Sequence, residues 1–138
     1  MKRWKKVTLV IVLLIITGGL AYAYYVWNKP QRDVSDEKGI VITAPAIFDS
    51  FVNNEAAANK AFLNKAIEVT GTVTGVKKNQ AGKTVVYLQS SDPMFGVNCT
   101  FKQDPGNIEK GSQITFKGIC TGYLSDVVLN DGIIINQK

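Results

Sequence analysis

The sequence predicts an all-β domain with N-terminal helix (α+β overall). It would be a small closed barrel of five strands, preceded by a transmembrane helix and an Ala-rich helical segment. Three observations carry this. Val7 to Trp27 is a run of 21 residues without a charge. At Ala66 the hydrophobic period changes from 3.6 to 2. After it, five β-type runs with internal glycines fit into about 70 residues, and small barrels need glycine where strands bend sharply.

The apolar run comes first. At about 1.5 Å per residue it spans roughly 31 Å as a helix, close to a bilayer core of about 30 Å. Trp4 precedes it, and Tyr22, Tyr24, Tyr25 and Trp27 crowd its far end, where amphipathic rings favour the headgroup level. Lys2, Arg3, Lys5 and Lys6 form a basic tail at 1–6, and basic residues are retained in the cytoplasm. The expected arrangement is a single-pass signal anchor at 7–27 in a bacterial cytoplasmic membrane. The domain then lies on the periplasmic or extracellular side. The alternative is secretion after cleavage at Ala23, because Ala21-Tyr22-Ala23 has the form of a signal-peptidase site. No cysteine lies nearby to carry a lipid.

Residues 28–39 (NKPQRDVSDEKG) read as a polar linker. The domain is expected over 40–138. Ile40 to Asn64 reads as one bent helix or two short ones. Thr43 would cap it and Pro45 would sit in the first turn. Asn53-Asn54 interrupts it, and Phe48, Phe51, Phe62 and Leu63 are its packing residues. A first strand follows, with Ile67, Val69, Gly71 and Val73 facing in and Glu68, Thr70, Thr72 and Thr74 facing out. A turn at Lys77 to Lys83 leads to a second strand, Thr84 to Gln89. The third is Gly96 to Phe101 and the fourth Gln113 to Tyr123. The fifth spans Val127 to Asn136, interrupted at Asn130-Asp131-Gly132.

Charge placement removes one class of partner. The chain carries 16 Lys+Arg and 11 Asp+Glu, net +5. Four of the positive charges lie within residues 2–6, so Asn28 onward is close to neutral at +1. The excess is an orientation signal, not a basic stripe that could displace many counterions from a nucleic acid. Histidine is absent, which excludes Ser-His-Asp, Cys-His and His-metal chemistry within the chain. Glu68, Asp126 and Asp131 show no spacing of a catalytic carboxylate pair. No phosphate loop or nucleophile elbow occurs. The reading is a binding protein without catalysis, cofactor or metal.

Three stretches carry a family resemblance: Ala57 to Val76 (AANKAFLNKAIEVTGTVTGV), Gly96 to Phe101 (GVNCTF) and Lys110 to Ile134 (KGSQITFKGICTGYLSDVVLNDGII). Together they resemble the bacterial tRNA-anticodon-binding-domain-like OB-fold family of small exported and membrane-anchored proteins, over about Ile40 to Ile135. The resemblance implies an OB barrel and an extracytoplasmic location, and it supplies no catalytic residue. Many members are lipid-anchored, whereas this chain has an apolar helix.

In OB barrels the first hairpin loop and the second and third strands border the ligand face. The candidate binding residues are therefore Lys77, Lys78 and Lys83 around that loop, with Tyr87 and Phe95. Asn98 and Thr100 are possible hydrogen-bonding groups, and Tyr123 is a further aromatic. The ligand class is a protein, peptide or small polar molecule. Alternatives are single-stranded nucleic acid or an oligosaccharide on the same face, or an accessory-subunit role in a membrane complex. Gly18-Gly19 gives the helix one flat spot for such a role.

Cys99 and Cys120 are the only cysteines. Their neighbours Val97, Phe101, Ile114 and Phe116 put both in the barrel interior. An exported domain permits a disulfide, and closing a loop of about 22 residues would stabilise by roughly 3 kcal/mol. A Cys99–Cys120 disulfide is expected. The alternative is two free core thiols, since the third and fourth strands of an OB barrel are not simple neighbours.

Overall fold

The structure is a computed structural model and describes residues 2–30 and 32–137. It divides into two compact units between residues 32 and 33. The first holds helix α1, Lys2–Trp27. This helix is unbroken and exposed on all sides, and it is long and apolar enough to cross a membrane. Its threonines return their hydroxyls to the helix backbone: Thr17 Oγ1 donates to the Leu13 carbonyl at 2.7 Å, and Thr8 Oγ1 to that of Lys5 at 3.0 Å. Few polar groups are then left facing outward.

The second unit holds β1 (Ile40–Thr43), α2 (Ala44–Asn53), α3 (Glu55–Phe62), β2 (Ala66–Lys78), β3 (Thr84–Gln89), β4 (Gly96–Phe101), β5 (Gln113–Leu124) and β6 (Asp126–Gln137). The sheet runs β1-β2-β3-β4-β6-β5, and pairing of β2 with β5 closes it. The barrel therefore has five strands, β2 to β6. The β4–β6 pair is parallel and the other four barrel pairs are antiparallel. This is an OB-fold. Residues 33–39, expected as linker, belong to the same unit: Val34 is buried, and Lys117 Nζ donates to the Glu37 carbonyl at 2.8 Å.

The N-terminal helical segment begins later than its sequence suggested. Ile40 to Thr43 form a sixth strand, parallel to β2 from Ile40↔Ile67 to Thr43↔Thr70. The β-branched run IVIT suits a strand. Thr43 then caps α2, its hydroxyl accepting the Ala46 N–H at 3.4 Å, with Pro45 in the first turn. Asn54 separates the two helices. Its N–H closes on the Ser50 carbonyl at 3.2 Å, and its Oδ1 caps α3 by accepting the Ala57 N–H at 3.1 Å. Helix α2 buries Ile47, Phe48 and Phe51. It can sit close over β2 because Gly71 has no side chain: a Cβ there would come within 2.9 Å of Ala44 Cβ.

Alternation, broken locally in β3, β5 and β6, fills the interior. Ile67, Val69 and Val73 of β2 meet Val86 and Leu88 of β3, Val97, Cys99 and Phe101 of β4, and Ile114 and Phe116 of β5. Strand β6 contributes Val127 and Leu129. The interruption expected at Asn130-Asp131-Gly132 is a bulge within a continuous β6: the β4–β6 register shifts between Cys99 and Phe101, and Asp131 has φ 54°. Gly132 faces the Cys99 sulfur there, leaving no room for a Cβ.

The cysteines do not form the expected disulfide; both are free and buried. The register explains this. Cys99 pairs with Leu129 from one side, and Cys120 pairs with Leu129 from the other. Strand β6 thus stands between them. Two strand spacings place the Cα atoms roughly 8–10 Å apart, whereas a bridge needs less than about 7 Å.

Candidate functional site

Inward alternation of Val86, Leu88, Val97, Cys99 and Phe101 turns Tyr87, Asn98 and Thr100 to the outer face of β3 and β4. Tyr87 and Asn98 are cross-strand partners. Beside them lies a cleft of about 470 Å³. Thr74 and Lys77 of β2, Tyr87 and Gln89 of β3, and Asp126 of β6 line it, with the loop from Asp92 to Phe95 as one wall. A volume of this size is in the range of ligand-binding clefts.

The loop wall is ordered by its own polar groups. Asp92 Oδ1 accepts the N–H groups of Met94 at 2.7 Å and Phe95 at 3.0 Å. Ser90 Oγ donates to the Phe95 carbonyl and accepts the Asp92 N–H at 3.0 Å. Ser91 bonds to Asp49 on α2. This self-capped turn leaves Phe95 42% and Met94 82% exposed, unusual for side chains of that size. Asp126 Oδ1 accepts the Gly96 N–H at 2.7 Å, and its Oδ2 lies 3.5 Å from Asn98 Nδ2. Lys77 Nζ stands 5.6 Å from the centre of the Tyr87 ring, a cation–π arrangement.

The predicted site residues therefore separate. Lys77, Tyr87 and Phe95 line the cleft together, and Asn98 adjoins it through Asp126. Thr100 lies further along β4, opposite Val85. Lys78 and Lys83 are outside the cleft: Lys78 Nζ donates to Thr84 Oγ1 at 2.6 Å and pairs with Asp104 at 3.3 Å, and Lys83 is in the exposed hairpin turn. Tyr123 is not on this face. It packs beneath α2, stacked on Phe51 at 5.7 Å and edge-on to Phe48 at 6.1 Å. The cause is a register shift between Cys120 and Gly122, after which Tyr123 pairs with inward-facing Val127. Thr74, Gln89, Asp92, Met94 and Asp126 complete the cleft and were missed. The signal for Asp92 is the turn sequence Ser90-Ser91-Asp92-Pro93, in which an Asx side chain caps the residues after it.

The thiols offer no chemistry to a ligand. Burial pushes the Cys99 thiol well up, and the Asp131 carboxylate adds to this. Burial also raises Cys120, opposed by the Gly122 N–H. Both are buried and protonated at neutral pH, so neither presents a thiolate nucleophile. Among the described residues no group of three His, Cys, Asp or Glu side chains is placed to hold a metal ion.

Comparison with known proteins places the chain. Among solved structures it is similar to a lipoprotein of Klebsiella pneumoniae subsp. pneumoniae MGH 78578 whose name proposes nucleic-acid binding. Identity is 17%, the TM-score is 0.53, and the match covers 70% of this chain and 92% of that one. At that identity the likeness is one of fold. No curated protein matches the chain. The tRNA_anti-like family pattern matches residues 1–133, and the chain belongs to the tRNA_anti-like family.

Proposed function

We propose that this protein is a membrane-anchored extracytoplasmic OB-fold binding module, without catalysis, that holds an extended peptide or protein segment across the outer face of β3 and β4. The observation that carries the reading is the cleft beside Tyr87, with Phe95 and Met94 exposed on a turn stiffened by Asp92 and Ser90. Exposed apolar side chains on an ordered loop above a polar cleft suit a partner that buries side chains and exchanges backbone hydrogen bonds. Lys77, Tyr87, Phe95 and Asn98 are its central contacts in this reading. The basic residues Lys2, Arg3, Lys5 and Lys6 keep the N-terminus cytoplasmic. The uncharged run from Val7 to Trp27, long enough for a bilayer core, is what favours an uncleaved anchor in this reading.

Single-stranded nucleic acid is the second reading, favoured by the name of the Klebsiella lipoprotein and by the Lys77–Tyr87 pair. The near-neutral charge beyond the helix weighs against it. The test is capture from detergent extracts with the full-length chain carrying a photo-crosslinking residue at Met94. A crosslinked polypeptide that is lost in Tyr87→Ala is the expected result. Retention of single-stranded DNA that weakens steeply with salt would replace the peptide reading by the second.

A further inference from the structure

We infer that β1 is an interface between two copies of this chain anchored in one membrane, which join through their β1 strands, antiparallel about a two-fold axis at Val41. The inference rests on the anchored reading and concerns a second surface; no residue of β1 lines the cleft. Strands β2 to β6 close on one another, and closure leaves a barrel no open edge. Strand β1 lies outside that closure. It pairs with β2 along one side, and among the described residues no strand pairs with its other side. The backbone N–H and C=O groups on that side are a template for one more strand. Edges that meet only water ordinarily carry a guard, such as a proline, a lysine or a bulge. Strand β1 carries none. It reads Ile-Val-Ile-Thr, β-branched throughout, in continuous register with β2, and Val41 on it is 75% exposed.

The size of the edge selects the occupant. Two edges of four residues bury far less than the ~1,000 Å² that a freely diffusing complex needs. A soluble strand would therefore not stay, whereas a partner held in the same membrane gains the effective concentration that confinement supplies. A second copy meets that condition, and its β1 is self-complementary. Ile40 and Ile42 share the face of inward Ile67 and Val69, and Val41 shares the face of outward Glu68. A two-fold axis normal to the sheet brings residues of like facing together. Centred on Val41, it sets Val41 opposite its own copy and Ile40 opposite Ile42. Apolar β-branched side chains then meet at every central position, and no two like charges do.

The experiment oxidises full-length Val41→Cys in the membranes of a bacterial host. Cys99 and Cys120 are buried, so the introduced thiol is the accessible one. Opposed residues of an antiparallel pair have Cα atoms about 4.5 or 5.5 Å apart, within the span of about 4.4–6.8 Å that a disulfide accepts. The expected product is a disulfide-linked dimer of the chain. It should form about tenfold faster than from Met94→Cys or Leu124→Cys, whose positions are 82% and 86% exposed and report random collision. Adding Ile40→Lys to Val41→Cys places an edge guard and should return the rate to that of the controls. An unchanged thermal melt and unchanged maleimide labelling of Cys at 41 would show that the fold and the thiol's exposure survive. Crosslinking no faster than the controls, or indifferent to Ile40→Lys, in a chain retained by the membrane would overturn the pairing and leave the anchored reading standing. Linkage of the Val41→Cys thiol to a different polypeptide would overturn the second copy as occupant. A chain recovered in the soluble fraction, cut after Ala23, would overturn the anchored reading and this inference together.

Discussion

Two tyrosines of the barrel have opposite fates. Tyr87 sits on β3 between inward Val86 and Leu88, in unbroken alternation, and stands on the outer face in the cleft. Tyr123 follows a bulge on β5 and packs inward against Phe48 and Phe51 of α2. One inserted residue reverses the parity of a strand and exchanges a binding platform for a packing wedge. The surroundings differ to match. The cleft around Tyr87 is built from carboxylates and hydroxyls capping backbone groups. The capped end around Tyr123 is an aromatic stack that extends through Phe51 to Phe62.

The largest expected effect breaks that contrast most directly. Tyr123→Ala removes a half-buried ring from its two aromatic partners, Phe48 and Phe51, and should cost about 2–3 kcal/mol, below the range for fully buried aromatics. Tyr87→Ala should cost less than about 1 kcal/mol, since it removes an outward ring. Urea unfolding of both variants at neutral pH measures this. Binding should show the reverse order, with Tyr87→Ala defective and Tyr123→Phe unchanged. Equal destabilisation by the two alanine variants would mean that Tyr87 is a structural residue and the cleft is not a free surface.

The same contrast shows what was legible in the sequence. Wherever alternation runs unbroken, as in Ile67-Val69-Val73 or Val97-Cys99-Phe101, inward and outward residues follow from parity alone. The Thr43 cap and the Asn54 break were likewise legible, because a side-chain oxygen before a helix has few other uses. Bulges hide from this reading. The Tyr123 bulge carries Gly122 at φ 137°, yet one glycine among several in a strand does not say which way the count shifts. Strand β1 was hidden for another reason: four apolar residues abutting a helix cap read as the helix's own start, and the parallel partner lies about 27 positions on, from Ile40 to Ile67. The free thiols were legible only as the alternative drawn from strand order, because facing inward is a property of each strand. The intervening Leu129 is a property of the pairing.

A second prediction sets the inner face of β4 against its outer face. The folded Cys99 thiol holds its proton far more tightly than the ordinary thiol value of 9.0. Its contribution to stability is thus fully present below that pH. It is lost as pH rises above it, because the unfolded chain then gives up a proton that the folded chain keeps. The loss is at most about 1.4 kcal/mol per pH unit for one such thiol. Urea midpoints at pH about 8 and about 10 should fall more for the wild type than for Cys99→Ala, measured relative to each protein at the lower pH. Asn98→Ala, on the outer face next to Cys99, should leave that alkaline slope unchanged. An identical slope in wild type and Cys99→Ala would place the thiol within reach of solvent, contrary to its complete burial.

The smallest effect lies where the two regions meet. Ser125 joins β5 to β6, with Tyr123 of the capped end before it and Asp126 of the cleft after it. It has φ 67°, in the left-handed region that a side chain disfavours. Ser125→Gly relieves that strain and, after the entropy glycine adds to the unfolded chain, should stabilise by about 0.5 kcal/mol. A rise in the urea midpoint with peptide affinity unchanged is expected, because Asp126 is positioned by the Gly96 N–H at 2.7 Å and not by the turn. If affinity falls as stability rises, the strained serine is what holds the carboxylate in the cleft. The capped end and the cleft would then be coupled through this single residue.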